Sequence, residues 1–320
     1  ASIQRDRKIS LWGLRLFVRE SGGGYPLLMI NGAGANVEMW GSAQERLAAV
    51  ARTITFDAPG TGRSRTSPVV LTHPRYAKII CRLLDYLGVE RCDVLGYSLG
   101  GTIAQQLART APDRVRRVAL VGTSCGWGAV PPGGRAMIAH YSRFAFDYAN
   151  DLLDGVARDR DSETLSSQAD ARRRYPPTIT GCAQQCLTGA TWSSLHWVST
   201  LRAPTLVIAG ERDRLVPPAN ALLLARHLPC GRCHVLAGEG HLMLQDPDSS
   251  AHALLVDFFS SPTLNDSAAW TDGLVVDDHG LSGALRNAAG VQPIRTMNSI
   301  YRRWVGLPPV QRLAERLGLV

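Results

Sequence analysis

The sequence predicts an α/β fold whose mostly parallel sheet is flanked by helices. Short apolar runs alternate with longer helical patterns at intervals of roughly thirty residues, as in βαβ units. Turns rich in glycine separate these segments. The chain has 320 residues, of which 45% are hydrophobic. It can therefore bury the core of one large domain that carries an insertion.

Six strands are predicted before residue 122. The chain opens with alternating polar and apolar residues around Gly13, which is typical of a β-hairpin. The predicted elements are this hairpin over 9–19, strands over 27–30, 53–56, 92–97 and 116–121, and helices over 76–87 and 99–109. The glycine loops after the strands at 27–30 and 53–56 lack the third glycine of a dinucleotide-binding fingerprint. A dinucleotide site of that type is therefore excluded.

A helical cap is predicted directly after the sixth strand. Residues 124–197 contain no strong strand pattern but include amphipathic stretches over 136–153 and 162–174. The alternation then resumes, with strands over 204–210 and 233–238 and helices over 220–228 and 251–259. The predicted domains are a core over 1–123 and 198–261, the cap over 124–197, and a C-terminal extension over 262–320.

The C-terminal extension is predicted to end in an amphipathic helix. This helix follows a predicted linker, SPTLNDS, and a stretch over 265–293 with little periodicity. Met297, Ile300, Tyr301 and Trp304 share one helical face. The simpler interpretation is that this apolar face packs on the chain's own domain, and contact with a membrane or granule surface is the alternative.

Ser98 is the predicted nucleophile. It is the central residue of Gly96-Tyr97-Ser98-Leu99-Gly100, a G-x-S-x-G motif between a predicted strand and a predicted helix. In such a nucleophile elbow, the sharp turn holds the serine hydroxyl above the sheet at the positive end of the helix. A structural serine in a chance match is the alternative.

Asp213 and His241 are the predicted acid and base. Each lies in a loop after a predicted parallel strand, and the order nucleophile, acid, base belongs to one of the convergent catalytic triads. A serine needs a histidine to take its proton, and the histidine needs a carboxylate to fix its tautomer. Glu211 is the alternative acid. His234 and His252 are weaker candidates for the catalytic base, because His234 lies within a predicted strand and His252 within a predicted helix.

The N–H groups of Leu99 and Ala33 are the predicted oxyanion hole. Leu99 directly follows the nucleophile, and Ala33 belongs to the glycine loop after the third strand. Chemistry of this kind needs neither a metal nor an organic cofactor, so we expect none.

Charge and composition argue against several other classes of protein. The net charge of +8 comes from scattered arginines, without a basic helix bearing aromatic residues, so nucleic-acid binding is not expected. No apolar run is long enough for a membrane span, and the first residues have no signal-peptide pattern.

Cysteine usage favours a reducing cytoplasm, because the seven cysteines are an odd number and several lie in predicted strands or helices. The segment Cys230-Gly231-Arg232-Cys233-His234 fits the haem-attachment pattern. A disulfide across the turn or two free thiols are simpler interpretations of it.

Five motifs occur along the chain in the order NGAGAN, FDAPGTGRS, GYSLGG, GERDRLVP and GEGH. Through these motifs the chain resembles the α/β-hydrolase superfamily, from about residue 8 to about residue 260. The resemblance implies the α/β-hydrolase fold. It also implies that Asp57 belongs to a structural turn and has no catalytic role.

Two longer segments, NGAGANVEMW and TGATWSSLHWVSTLRAPTLVIAGERDRLVPPANALLLARHLP, carry a narrower resemblance. They are similar to intracellular medium-chain-length polyhydroxyalkanoate depolymerases, although those enzymes usually carry a tryptophan where this chain has Leu99. The resemblance implies hydrolysis of an aliphatic 3-hydroxyacyl polyester or its oligomers through an acyl-enzyme, in the bacterial cytoplasm and at a granule surface. The alternatives are a small-molecule carboxylesterase or lactonase, a carbon–carbon bond hydrolase, and a non-catalytic binding protein with the same fold.

Overall fold

An eight-stranded sheet forms the centre of the molecule. The structure is a computed structural model that describes residues 4–131 and 162–288. The strands are β1 (Arg5–Leu11), β2 (Leu14–Ser21), β3 (Pro26–Ile30), β4 (Arg52–Phe56), β5 (Cys92–Tyr97), β6 (Val115–Val121), β7 (Thr205–Gly210) and β8 (Gly231–Leu236). Their order across the sheet is β1-β2-β4-β3-β5-β6-β7-β8. β1 and β2 form the predicted hairpin, β2 pairs antiparallel with β4, and the other pairs are parallel. The predicted mostly parallel sheet is confirmed.

Helices cover both faces of the sheet. In the described residues they are α1 (Ser42–Ala48), α2 (His73–Tyr86), α3 (Leu99–Thr110), α4 (Ser162–Arg174), α5 (Ile179–Ala190), α6 (Ala219–His227), α7 (Ala251–Ser260), α8 (Ala268–Thr271) and α9 (Asp278–Ala288). Short 3₁₀ turns lie at Val37–Trp40, Pro112–Arg114, Val198–Thr200 and Leu264–Asp266. None of these helices combines the length and apolar character that crossing a membrane requires.

Each central strand contributes to two apolar cores, because successive side chains point to opposite faces of the sheet. On one face, Leu28 and Val94 pack in a cluster with side chains of α2, α3 and α6. On the other face, Met29 and Leu95 pack in a cluster with side chains of α1 and α7. The parallel strands end at the same edge of this sandwich, so the loops that follow β3, β5, β7 and β8 come together there.

Helices α4 and α5 lie between β6 and β7 in the chain, where the cap was predicted. The Asn36 side chain, from the loop after β3, donates to the carbonyls of Ala171 and Tyr175 at 3.0 and 2.9 Å. This contact fastens the end of α4 to the core. The predicted cap helix over 136–153 lies outside the described residues, and the predicted domain boundaries remain a prediction.

Helix α5 approaches the core through glycine backbone. The Thr178 N–H donates to the Gly60 carbonyl at 2.8 Å. A Cβ atom at Gly181 would lie 2.5 Å from the same carbonyl oxygen, so no larger residue fits without a shift. Helix α5 was not predicted as a separate element, because its glycines, threonines and cysteines give only a weak apolar period.

Residues 262–288, for which the sequence predicted the linker SPTLNDS and then a stretch with little periodicity, pack on the core. The Trp270 ring stacks on Phe258 with centroids 5.8 Å apart, and Leu274 forms an antiparallel bridge with Cys233 along β8. Both contacts depend on single residues, which leave no periodic signal in the sequence. The predicted apolar stripe over 297–304 lies outside the described residues.

Candidate active site

Ser98 lies at the turn between β5 and α3 with strained backbone angles. Its φ of 53° is in the left-handed region, which costs a non-glycine residue about 1–3 kcal/mol. The Ser98 N–H donates to the Val121 carbonyl at 3.0 Å, and the Thr123 hydroxyl donates to the Ser98 carbonyl at 2.7 Å. A Cβ atom at Gly100 would overlap the Ile30 carbonyl. Glycine there lets α3 begin directly against the end of β3.

His241 connects Ser98 to Asp213. Its Nε2 atom lies 3.2 Å from the Ser98 Oγ atom, and its Nδ1 atom lies 2.7 Å from the Asp213 Oδ2 atom. His241 and Asp213 are buried, with 4% and 3% of their surface exposed. The structure thus brings together the three side chains that the sequence singled out, from loops after β5, β7 and β8.

The Asp213 carboxylate is oriented by backbone donors. Its Oδ1 atom accepts the N–H groups of Leu215 and Val216 at 2.9 and 2.8 Å. The other oxygen is therefore directed at His241 Nδ1, and an ionised carboxylate can only accept. Nδ1 then carries the hydrogen, and Nε2 is left as the acceptor for the Ser98 hydroxyl.

Two side chains that the sequence analysis missed hold the His241 loop in place. The Tyr97 hydroxyl donates to the His241 carbonyl at 2.8 Å. The Glu239 carboxylate accepts the Ser249 hydroxyl and, at 3.0 and 2.7 Å, the N–H and hydroxyl of Ser250. Both residues lie inside motifs that were recognised, namely G-x-S-x-G and GEGH. Their proximity to the proposed triad residues was the available signal.

The alternative acid and bases are engaged elsewhere. Glu211 accepts the Gly238 N–H at 2.9 Å. His234 Nε2 lies 2.7 Å from the Ala269 carbonyl, and His252 Nε2 lies 2.8 Å from the Asp246 carbonyl. None of these three is bonded to Ser98 or to His241, so the geometry favours Asp213 and His241.

Asp57 organises a turn, as expected. It accepts the backbone N–H groups of Val37 and Arg63, each at 2.7 Å. Burial raises the pKa of its carboxyl, and these two backbone donors act in the opposite direction. Asp57 thereby ties the loop after β3 to the loop after β4.

The predicted oxyanion donors border Ser98. Leu99 is the first residue of α3, so its N–H has no acceptor within the helix. A Cβ atom at Gly32 would lie 3.2 Å from the Ser98 Cβ atom. The glycine loop that carries Ala33 therefore passes directly beside the serine. The assignment of the two N–H groups of Leu99 and Ala33 to an oxyanion hole remains a prediction.

A mostly apolar pocket begins at the same place. It is bounded by the glycine loop, the first turns of α3 and helix α5. Its lining residues are Ile30, Asn31, Gly32, Ala35, Phe56, Ala58, Tyr76, Leu99, Ile103 and Gln185. Gly32 and Leu99, which line this pocket, lie next to Ser98.

Of the cysteine pair before His234, Cys233 lies within β8 and Cys230 directly precedes it. All seven cysteines are free thiols. Cys233 is fully buried, and burial raises its pKa to about 12. The structure therefore favours two free thiols over a disulfide across the turn. Within the described ranges, no three His, Cys, Asp or Glu side chains form a group that could hold a metal ion.

Known proteins resemble this chain in sequence. A family model for the alpha/beta hydrolase fold matches residues 25–247. A poly(3-hydroxyalkanoate) depolymerase from Ectopseudomonas oleovorans is 36% identical over 226 residues, covering 68% of this chain and 78% of the relative. A 2-hydroxymuconate semialdehyde hydrolase from Pseudomonas sp. (strain CF600) is 30% identical over 269 residues, covering 79% of this chain and 93% of the relative.

Solved structures resemble it as well. Est816, described as an N-acyl homoserine lactone degrading enzyme, matches with a TM-score of 0.67 at 26% identity, covering 78% of this chain and 98% of its own. The meta-cleavage product hydrolase CumD from Pseudomonas fluorescens IP01 matches with a TM-score of 0.67 at 24% identity, covering 77% of this chain and 94% of its own. The likeness to CumD shows the fold alone.

Proposed function

The chain belongs to the α/β-hydrolase fold family, and we propose that it is a serine carboxylic-ester hydrolase acting through an acyl-enzyme. One observation carries this proposal: a continuous hydrogen-bonded line runs from Asp213 through His241 to Ser98, at 2.7 and 3.2 Å. The serine at its end sits in a strained elbow beside backbone N–H groups. That combination is what nucleophilic attack on a carbonyl requires.

In the proposed reaction, His241 Nε2 takes the Ser98 proton as the serine oxygen attacks the ester carbonyl carbon. Asp213 stabilises the imidazolium that forms. The protonated His241 then gives its proton to the leaving alcohol oxygen, and the carbon–oxygen bond of the ester breaks. Water repeats the sequence on the acyl-enzyme, which releases the acid and restores Ser98.

The oxyanion of each tetrahedral intermediate would be held by the N–H groups of Leu99 and Ala33. Such donors act where negative charge develops, so each is worth roughly a hundredfold to a thousandfold in rate. The Leu99 N–H also lies at the positive end of the α3 dipole, which favours a negative oxygen there.

We further propose an aliphatic 3-hydroxyacyl polyester, or its oligomers, as the substrate. The depolymerase from E. oleovorans at 36% identity supports this choice, and so does the mostly apolar lining of the pocket beside Ser98. The polymer would be met at a granule surface.

Hydrolysis of medium-chain polyhydroxyalkanoate latex, measured beside soluble p-nitrophenyl octanoate, tests the proposal. We expect the wild type to clear the latex and cleave the ester, and Ser98→Ala to lose both activities by at least about a thousandfold. A fluorophosphonate should label the wild type and leave Ser98→Ala unlabelled. Absence of labelling would contradict the triad and favour a non-catalytic binding protein. Ester cleavage without clearing would keep the triad and reject the polymer.

A carbon–carbon bond hydrolase is the second candidate. This chain covers 93% of the 2-hydroxymuconate semialdehyde hydrolase from strain CF600, against 78% of the depolymerase. Loss of the yellow absorbance of a 2-hydroxymuconate semialdehyde would support this candidate if its kcat/KM exceeds that for p-nitrophenyl octanoate. Est816 suggests a lactone as a further substrate to include in the same comparison.

A further inference from the structure

Gln185 links the cap to the loop that carries Ala33. It lies on α5, and its side chain is 2% exposed. Its Oε1 atom accepts the backbone N–H of Gly34 at 2.7 Å. Gly34 directly follows Ala33, so Gln185 lies at the loop that the proposed reaction uses.

The contact with Gly34 fixes which end of the Gln185 amide is which. A backbone N–H can only donate, so the atom that receives it must be the amide oxygen. The other end is then the NH₂ group, which carries two donors. The usual ambiguity in placing a glutamine amide does not arise here.

The Gln185 NH₂ group is buried without an acceptor among the described residues. Buried donors are normally paired, because leaving one unpaired forfeits its hydrogen bonds to water. Gln185 also lines the pocket that begins at Gly32 and Leu99. A buried, unpaired NH₂ group in a mostly apolar pocket beside the proposed nucleophile is suited to donate a hydrogen bond to an oxygen of a bound molecule.

We propose that Gln185 Nε2 donates a hydrogen bond to the oxygen on C3 of the acyl group, so that Gln185 selects 3-oxygenated acyl chains. This inference rests on the proposed esterase function. The carbonyl oxygen is assigned to the N–H groups of Leu99 and Ala33, and C3 stands two bonds beyond the carbonyl carbon. The Gln185 side chain is hydrogen-bonded to Gly34, one residue beyond Ala33, and the Cα atoms of consecutive residues are about 3.8 Å apart. Its donor is therefore expected at the level of C3 rather than at the far end of the chain.

Two matched esters isolate this contact. p-Nitrophenyl 3-methoxyoctanoate carries an oxygen on C3 that can only accept, as the C3 oxygen inside a polyester does, whereas p-nitrophenyl octanoate lacks it. The measured quantity is the ratio of kcat/KM for the two esters. Sterics of the methoxy group affect every variant alike, so the change in this ratio on substitution reports the contact.

Gln185→Glu is the informative variant, because its carboxylate can still accept the Gly34 N–H but has no donor when ionised. At pH 8 we expect the ratio to fall about tenfold, the usual cost of losing one hydrogen bond. Gln185→Met, which removes both contacts, should lower the ratio similarly and should also slow the octanoate ester. Gln184→Glu is the control, because the Gln184 side chain donates to the Ser67 carbonyl instead. It should leave the ratio unchanged.

An unchanged ratio in Gln185→Glu would overturn the proposal. If both esters slowed equally, Gln185 would act only through the loop or on the oxyanion. If both kept wild-type rates, it would be a structural contact. A wild type that cleaves neither ester would instead contradict the proposed function, which the Ser98→Ala comparison identifies separately.

Discussion

His73 is a buried histidine that contacts α3, the helix that follows Ser98. It is 1% exposed, and its ring stacks on Trp192 with centroids 4.3 Å apart. The Thr102 hydroxyl donates to the Leu99 carbonyl at 2.7 Å, so His73 Nε2, 2.8 Å from the same hydroxyl oxygen, must be the donor. Burial lowers the pKa of His73 to about 3. The ring is therefore neutral at physiological pH.

This pKa makes the stability of the protein depend on pH. Between about 3 and 6.5, the unfolded state binds a proton at His73 that the folded state excludes. The free energy of unfolding therefore rises with pH across that window, by up to about 1.4 kcal/mol per pH unit. The part of the unfolding free energy that depends on a neutral His73 is fully present above pH 6.5 and is lost as the pH falls towards 3.

Urea unfolding at several pH values, compared between wild type and His73→Phe, measures this effect. The substitution keeps a ring against Trp192 but removes the titrating group, so we expect a shallower slope below pH 6.5. Burial also lowers the pKa values of His196 and His252, and these act in the same direction in both proteins. Equal slopes would contradict the role of His73.

Single residues differ in how far the sequence reveals them. Ser98 and His241 could be predicted because each lies within a recognisable motif at the end of a strand. Gln185 could not, since its contact with Gly34 spans 151 positions of the chain. A buried glutamine has no local pattern, and only the folded structure shows which loop it reaches.

At the scale of elements, α5 makes several of the contacts between the predicted cap and the core. Thr178 bonds to the Gly60 carbonyl at 2.8 Å, and the Thr188 hydroxyl donates to the Leu71 carbonyl at 2.7 Å. Gln185 lies between these two contacts on the same helix. The position of its amide therefore depends on how closely α5 approaches the loop after β4.

Gly181→Ala should disturb this approach. The new Cβ atom would lie 2.5 Å from the Gly60 carbonyl oxygen, so we expect the free energy of unfolding to fall by about 1–3 kcal/mol. Cleavage of p-nitrophenyl octanoate should slow as well, because Gln185 moves with the helix. Alanine usually stabilises a helix relative to glycine, so a loss would identify the contact as the cause.

Thr180→Ala, at an exposed neighbouring position, is the control and should change the stability by less than about 0.5 kcal/mol. A Gly181→Ala protein as stable and active as the wild type would show that the helix can shift at no cost.

Elements with a repeating apolar pattern could be predicted from the sequence, and elements placed by single contacts could not. Apolar strands such as β5 and β7 have a continuous signal and were located to within a residue or two. Helix α1 and the packed segment over 262–288 were missed. Their places are set by individual contacts, such as Trp270 on Phe258, and not by repeating patterns.

At the scale of the whole molecule, Arg117 ties the end of α7 to the sheet. Its buried guanidinium donates to the carbonyls of Phe258, Ser261 and Pro262 at 2.6, 2.9 and 3.0 Å. Burial lowers the pKa of Arg117. These three carbonyls share one donor group, so Arg117 holds the start of the segment after α7, whereas Trp270 and Leu274 hold its later part.

Arg117→Met should therefore destabilise the protein by about 2–4 kcal/mol, because it leaves buried carbonyls without donors. Urea unfolding provides the measurement. Arg114→Met is the matched control. Arg114 also donates to backbone carbonyls, those of Glu90 and Val89, but its side chain is 26% exposed. It should cost less than about 1 kcal/mol. Equal losses in the two variants would contradict the special role of Arg117.

The close packing of backbone around Ser98 has a consequence for how such a protein can diverge. Gly96, Gly100 and Gly32 each lie against backbone or side-chain atoms that a Cβ would crowd, so a mutational scan should find these positions almost invariant. Helix α5 borders the pocket with the side chain of Gln185, at a position where no backbone crowds the Cβ atom. New substrate preferences should therefore arise mainly through substitutions in α5, and a library confined to that helix should give more active variants than one centred on the elbow.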